Sequence, residues 1–105
     1  ECDASQPSTV LLSRLEFFRY RVGRPIIVNS GPRCAYWNRH EGGVETSDHL
    51  TGEGADLQCL NSRERYELIS TNFMTVAPIF TRLGIGKTFV HVGVTSTAPR
   101  VLWLY

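Results

Sequence analysis

Two histidines and one aspartate stand out for what they could do together. His49 and Asp56 lie at either side of a glycine-punctuated stretch, S-D-H-L-T-G-E-G-A-D over residues 47–56. His91 follows inside the apolar run F-V-H-V-G-V at residues 89–94. Two imidazoles and a carboxylate make a zinc ligand set that leaves a coordination position open for water, as catalytic sites do; sealed structural sites fill all four. The spacing alone leaves a second reading open, in which each histidine is hydrogen-bonded on the sheet or solvated in a loop. His40 has no matching partner and reads as a solvated loop histidine.

These residues need elements to bring them together. Residues 89–94 form the strongest strand signal. Alternate side chains on a strand point to opposite faces, so Val90, Val92 and Val94 share a core face while Phe89, His91 and Gly93 share the other. Residues 55–60 alternate polar and apolar and read as a second strand. If the two are neighbours, Asp56 and His91 point at one spot, and His49 can reach it from the preceding loop, where Gly52 and Gly54 permit a tight backbone path.

The rest of the chain reads as support for that pair. Residues 10–22 read as a helix with Leu11, Leu15, Phe18 and Val22 on one face, capped by Ser8 or Thr9 and ended by Gly23. Residues 25–29 read as a short strand ended by a turn at 30–32. Residues 34–39 suggest a helical turn, and 41–54 a loop. Asn61 with Glu64 predicts a capped start for a helix from 62 to about 73, with Tyr66, Ile69 and Phe73 on one face. Residues 83–86 lead into the 88–94 strand, and 101–105 read as a last strand or an apolar tail. Helix, strand, loop, strand, helix, strand, strand favours an α+β fold, a small, largely antiparallel sheet covered by helices.

Composition narrows the function classes. A chain of 105 residues with an apolar share of 42% fits one domain and one core, here residues 1–105 with 1–7 as a loose lead-in. A net charge of +1, without a basic run, gives no footprint for nucleic acid. No apolar segment approaches the ~20 residues that span a bilayer. The chain begins Glu1-Cys2 with no signal-type apolar run, so a processed or cut chain is expected. Three cysteines cannot pair fully within the chain. Cys34 and Cys59 read as small buried apolar residues, with a Cys2–Cys34 or Cys34–Cys59 disulfide as the alternative outside the cytosol.

Residues 25–56, P-I-I-V-N-S-G-P-R-C-A-Y-W-N-R-H-E-G-G-V-E-T-S-D-H-L-T-G-E-G-A-D, resemble the M15 family of zinc D-Ala-D-Ala carboxypeptidases and peptidoglycan endopeptidases. The family pattern there is close to S-G-Y-R-C-P-x-Y-N-x-x-x-G-G-x-x-x-S-x-H-x-x-G-x-A-x-D, and residues 89–94 look like its later F-V-H-V-D-V strand. Residues 83–86 and the tail around Trp103 look like those of small phage-type members. The resemblance implies a Hedgehog/DD-peptidase-like zinc fold, with His49, Asp56 and His91 as zinc ligands. It implies that Arg33 lies near the substrate, where a guanidinium can stabilise charge on the scissile carbonyl oxygen. Ser47 matches a family serine that could bond the substrate or cap the loop, and Asn38 is expected to fix backbone.

Departures from the pattern carry consequences. Pro32 replaces a tyrosine, Ala35 a proline, and Glu53 a commonly basic residue. Gly93 stands where the family strand usually has aspartate, and Thr88 stands where many members place the catalytic acid, so the general acid/base has no evident holder. Glu45, Asp48 and Glu53 are conceivable substitutes. The expected function is therefore a zinc-dependent peptidase cutting peptidoglycan stem peptides, as a carboxypeptidase or endopeptidase (endolysin). The alternative is a catalytically impaired cell-wall binding or phage structural module that keeps the fold, with or without the zinc. Expected settings are extracellular, periplasmic or phage-associated, and the expected state is a monomer.

Overall fold

In a computed structural model, which describes residues 7–30, 52–94 and 100–105, helix α1 spans Thr9–Val22. The Ser8 hydroxyl accepts from the Leu11 N–H at 3.0 Å, satisfying one of the donors a helix start leaves open. Gly23 ends the helix at φ 85°, and its N–H bonds the Arg19 carbonyl; this left-handed cap is cheap only for glycine. Leu11 and Phe18 are buried, with Leu15 and Val22 packed beside them, as the helical spacing predicts.

Strands β1 (Val28–Ser30), β2 (Gly54–Gln58), β3 (Arg82–Ile85), β4 (Phe89–Gly93) and β5 (Val101–Leu104) form one sheet in the order β1-β2-β4-β3-β5. Three pairings are antiparallel and β3–β5 is parallel. The fold is α+β with a mainly antiparallel sheet, as expected. β1 begins later than the expected 25–29 strand, and an irregularity between Val28 and Ser30 shifts its register. Proline has no N–H to give a ladder, and the first bond at this end runs from Gln58 N to Ile27 O. The expected helical turn at 34–39 and most of the 41–54 loop lie outside the described residues.

One expectation needs correction at β3. Residues 83–86 do not merely lead into β4; Arg82–Ile85 pairs with β4 along its length and places β3 between β4 and β5. Glycine weakens strand propensity, which hid the strand in the sequence, but interior strand glycines also mark close approaches. Both hold at Gly84, where a Cβ would meet Trp103 and Tyr105 ring atoms at 2.6 Å; just past the strand, one on Gly86 would meet the Phe89 ring at 2.3 Å.

Helix α2 runs Ser62–Asn72. Asn61 Oδ1 accepts from the Glu64 N–H at 2.9 Å, and Glu64 Oε1 reaches back to the Leu60 N–H at 2.8 Å. That is a capping box displaced by one residue on its return bond. The buried face is Leu68, Thr71 and Asn72, not Tyr66, Ile69 and Phe73; Tyr66 and Phe73 are exposed. The cause is the return of the chain after the helix. Asn72 is fully buried, donates to the Phe80 carbonyl at 3.1 Å and accepts from the Phe80 N–H at 2.7 Å. Those bonds turn the asparagine inward, seat Phe80 edge-on against Phe18 at 5.3 Å, and rotate the aromatics outward.

Ala55, Leu57, Leu83, Val90 and Val92 from the sheet join Leu11, Phe18, Leu68, Ile79 and Phe80 in one buried cluster. Both helices therefore cover the same face of the sheet. Cys59 belongs to this cluster as a free thiol, and Cys34, the other half of the alternative pairing, lies outside the described residues. Among the described residues, no helix is long and apolar enough to cross a membrane.

Candidate metal centre

The face of the sheet opposite the helices carries the residues singled out for chemistry. β2 and β4 are neighbours, and Asp56 and His91 are direct cross-strand partners. Facing residues in an antiparallel pair hold their Cβ atoms about 4.5–5.5 Å apart, which brings short polar side chains into contact. His91 Nδ1 lies 3.0 Å from Asp56 Oδ1, with the His91 side chain 3% exposed and that of Asp56 19%. Both sit on β-strands in the middle of the sheet, whose ladders limit their motion. The contact gives Nδ1 two possible roles. It can donate its N–H to the carboxylate, or its lone pair can point with the carboxylate at a shared cation.

One step along the ladder, Gly54 faces Gly93, and Gly93 also faces Arg82 on β3. Period-two geometry puts all three on the face of Asp56 and His91. Two glycines in register leave the strip beside the carboxylate and the imidazole without side chains. Gly93 is the position where an acid is expected by resemblance; it is buried and has Arg82 as its cross-strand neighbour. The carbonyl of Glu53 accepts from the Val94 N–H at 3.0 Å, which extends the β2–β4 ladder by one pair beyond this strip.

Aromatic rings close the other side. Trp103 lies 5.4 Å from the His91 ring, Tyr105 lies 4.9 Å from Phe89 and 5.9 Å from Trp103, and the Arg82 guanidinium lies 5.5 Å from the Trp103 ring. The sequence reading missed Trp103 and Gly84 as neighbours of His91, and Arg82 as the neighbour of Gly93 and Trp103. The available signal was the pair of glycines in L-G-I-G ahead of the strongest strand, which marks a place where bulky groups from elsewhere come close.

Of the expected ligands, the structure brings Asp56 and His91 together, while His49 lies outside the described residues. Arg33, Ser47, Asn38, Cys34 and the Cys2–Cys34 pairing lie outside them too, as do Glu45 and Asp48. Cys59 is on the core face, and burial pushes its thiol above the ordinary 9.0, so it is no ligand at this site. Among the described residues there is no group of three or more histidine, cysteine, aspartate or glutamate side chains able to hold a metal. The two donors present do fit zinc in kind and spacing. Zinc takes imidazole nitrogen and carboxylate oxygen at about 2.0–2.2 Å in a tetrahedron, which separates two ligands by about 3.3 Å, close to the 3.0 Å seen here.

A search among curated proteins finds no match. The sequence model of the family described as Peptidase M15 matches residues 1–93. That span takes in both helices, β1 to β4, and the Asp56–His91 pair that joins the two central strands. A match of this extent places the chain in the Peptidase M15 family, a family of peptidases.

Proposed function

We propose that the chain is a zinc-dependent peptidase that hydrolyses peptide bonds in the stem peptides of bacterial peptidoglycan, with His49, Asp56 and His91 holding the metal. The observation that carries this reading is the register pairing of Asp56 with His91, 3.0 Å apart on the face away from the helices, inside the family-matched span. Bound between these residues, zinc would supply Lewis-acid polarisation of the scissile carbonyl and a water acidic enough to react near neutral pH. The protein side chains do the rest. Arg33 stabilises negative charge developing on the carbonyl oxygen, and Ser47 bonds the substrate backbone. Glu45, Asp48 and Glu53 are the carboxylates proposed to move a proton. General acid–base help of this kind contributes about 10²–10⁴-fold.

The test is a digest of purified muropeptides, read by mass spectrometry, with and without a chelator. Chelator-sensitive release of stem-peptide fragments is the expected result. Binding with no products would favour the impaired module, a reading that draws on glycine at position 93. Under that second reading, Gly93→Asp raises hydrolysis above background. An unchanged rate, in a variant that still folds and binds zinc, would remove position 93 as the missing acid.

A further inference from the structure

His91 and Trp103 are two strands apart, and Gly84 is the cross-strand partner of both. Neighbouring strands are spaced about 4.8 Å, so the backbones of His91 and Trp103 are separated by roughly 10 Å. Their rings nonetheless meet at 5.4 Å with an interplanar angle of 44°, inside the range in which aromatic rings attract. They meet because Gly84 puts nothing between them: a Cβ there would stand 2.6 Å from Trp103 Cε2 and 2.7 Å from Cζ2. The indole is itself held, by Tyr105 at 5.9 Å and the Arg82 guanidinium at 5.5 Å. Its strand is fixed to β3 by Val101 N to Thr81 O and Tyr105 N to Ile85 O. β5 lies beyond the residues that the family model matches.

We infer that Trp103 is a positioning residue for the metal ligand His91. The indole, reaching across Gly84, holds the imidazole in the orientation that aims Nδ1 at the point shared with Asp56. This rests on the zinc reading of His49, Asp56 and His91. The sequence joins the two parts of the device: glycine at 84 opens the space, and tryptophan at 103 fills it. Residues that orient a ligand without touching the metal typically alter its affinity by 10–100-fold when changed.

The test is zinc affinity by competition with a chromophoric chelator, together with the visible bands of bound Co2+, which report the coordination geometry. Trp103→Ala weakens zinc binding about 10-fold and alters the Co2+ bands, and Trp103→Phe, which keeps a ring, stays within about 3-fold of the parent. Gly84→Ala, which pushes the indole aside without deleting it, shifts both readouts in the direction of Trp103→Ala. Leu104→Ala, on the other face of the same strand and 76% exposed, leaves both unchanged, which separates orientation of His91 from general loosening of β5. If Trp103→Ala does not fold, Gly84→Ala decides. Zinc binding by the parent with equal affinity and spectra in Trp103→Ala and Gly84→Ala would overturn the role of Trp103 alone. A parent that binds no zinc would overturn the ligand assignment, and this inference with it.

Discussion

Asn72→Ala should be among the most damaging single changes in this chain. Asn72 is fully buried, and its amide makes two bonds to one residue, Nδ2 to the Phe80 carbonyl at 3.1 Å and Oδ1 from the Phe80 N–H at 2.7 Å. Alanine removes both partners and leaves a buried N–H and a buried carbonyl to find others. Each orphaned group costs about 1–3 kcal/mol, so a loss of about 3 kcal/mol is expected, a large share of the 5–15 kcal/mol typical of a domain. At about 5 °C per kcal/mol for a domain of this size, the melting temperature should fall by roughly 15 °C. The consequence reaches the site, because Phe80 and Thr81 lead directly into β3, which carries Arg82 and Gly84. Urea denaturation of parent and variant measures the change, with the slope expected to stay constant. Asn61→Ala is the internal comparison, since Asn61 is exposed and accepts one bond as a helix cap; it should cost about 1 kcal/mol. A loss below about 1 kcal/mol for Asn72→Ala, or equal losses at the two positions, would refute the idea that the amide anchors the chain reversal.

Two further changes probe the packing. Burial raises the Cys59 thiol above 9.0, so the folded chain favours the neutral thiol. The stability this gives is intact below pH 9.0, the unfolded value, and fades as pH rises above it. Parent stability should therefore decline more steeply with alkaline pH than that of Cys59→Ala, and parallel curves would show that the thiol is not desolvated. Arg24→Ala breaks the 2.6 Å ion pair with Glu67, which links the end of α1 to α2. Both side chains are more than a third exposed, so solvent screening limits the cost to about 0–1 kcal/mol; a loss above about 2 kcal/mol in urea denaturation would point to a packing role for the arginine stem.

The core of the site was legible because period two is a strong constraint. Valines at 90, 92 and 94 assigned one face to the core, which forced His91 to the other, and alternation in residues 55–60 did the same for Asp56. Only their adjacency had to be supplied by the fold, and the register pairs them directly. The α1 face was legible from its three- and four-residue apolar spacing, with Gly23 and Ser8 marking its ends. The α2 face was not, because hydrophobicity pointed to Tyr66 and Phe73 while a buried asparagine, satisfied by a residue eight positions later, set the rotation. β3 was hidden by glycines whose value lies in what they leave out. The contact of Trp103 with His91 depends on a parallel pairing between β3 and β5, and no local pattern in either segment records that register.

Metal content is the most direct measurement of the central claim. Protein stripped with chelator, dialysed against zinc and analysed by mass spectrometry under native conditions should carry one zinc per chain, and His49→Ala, Asp56→Ala and His91→Ala should each lose it while remaining folded. A parent that takes up no zinc, or an Asp56→Ala and His91→Ala pair that retains it, would contradict the assignment of these side chains as the ligands.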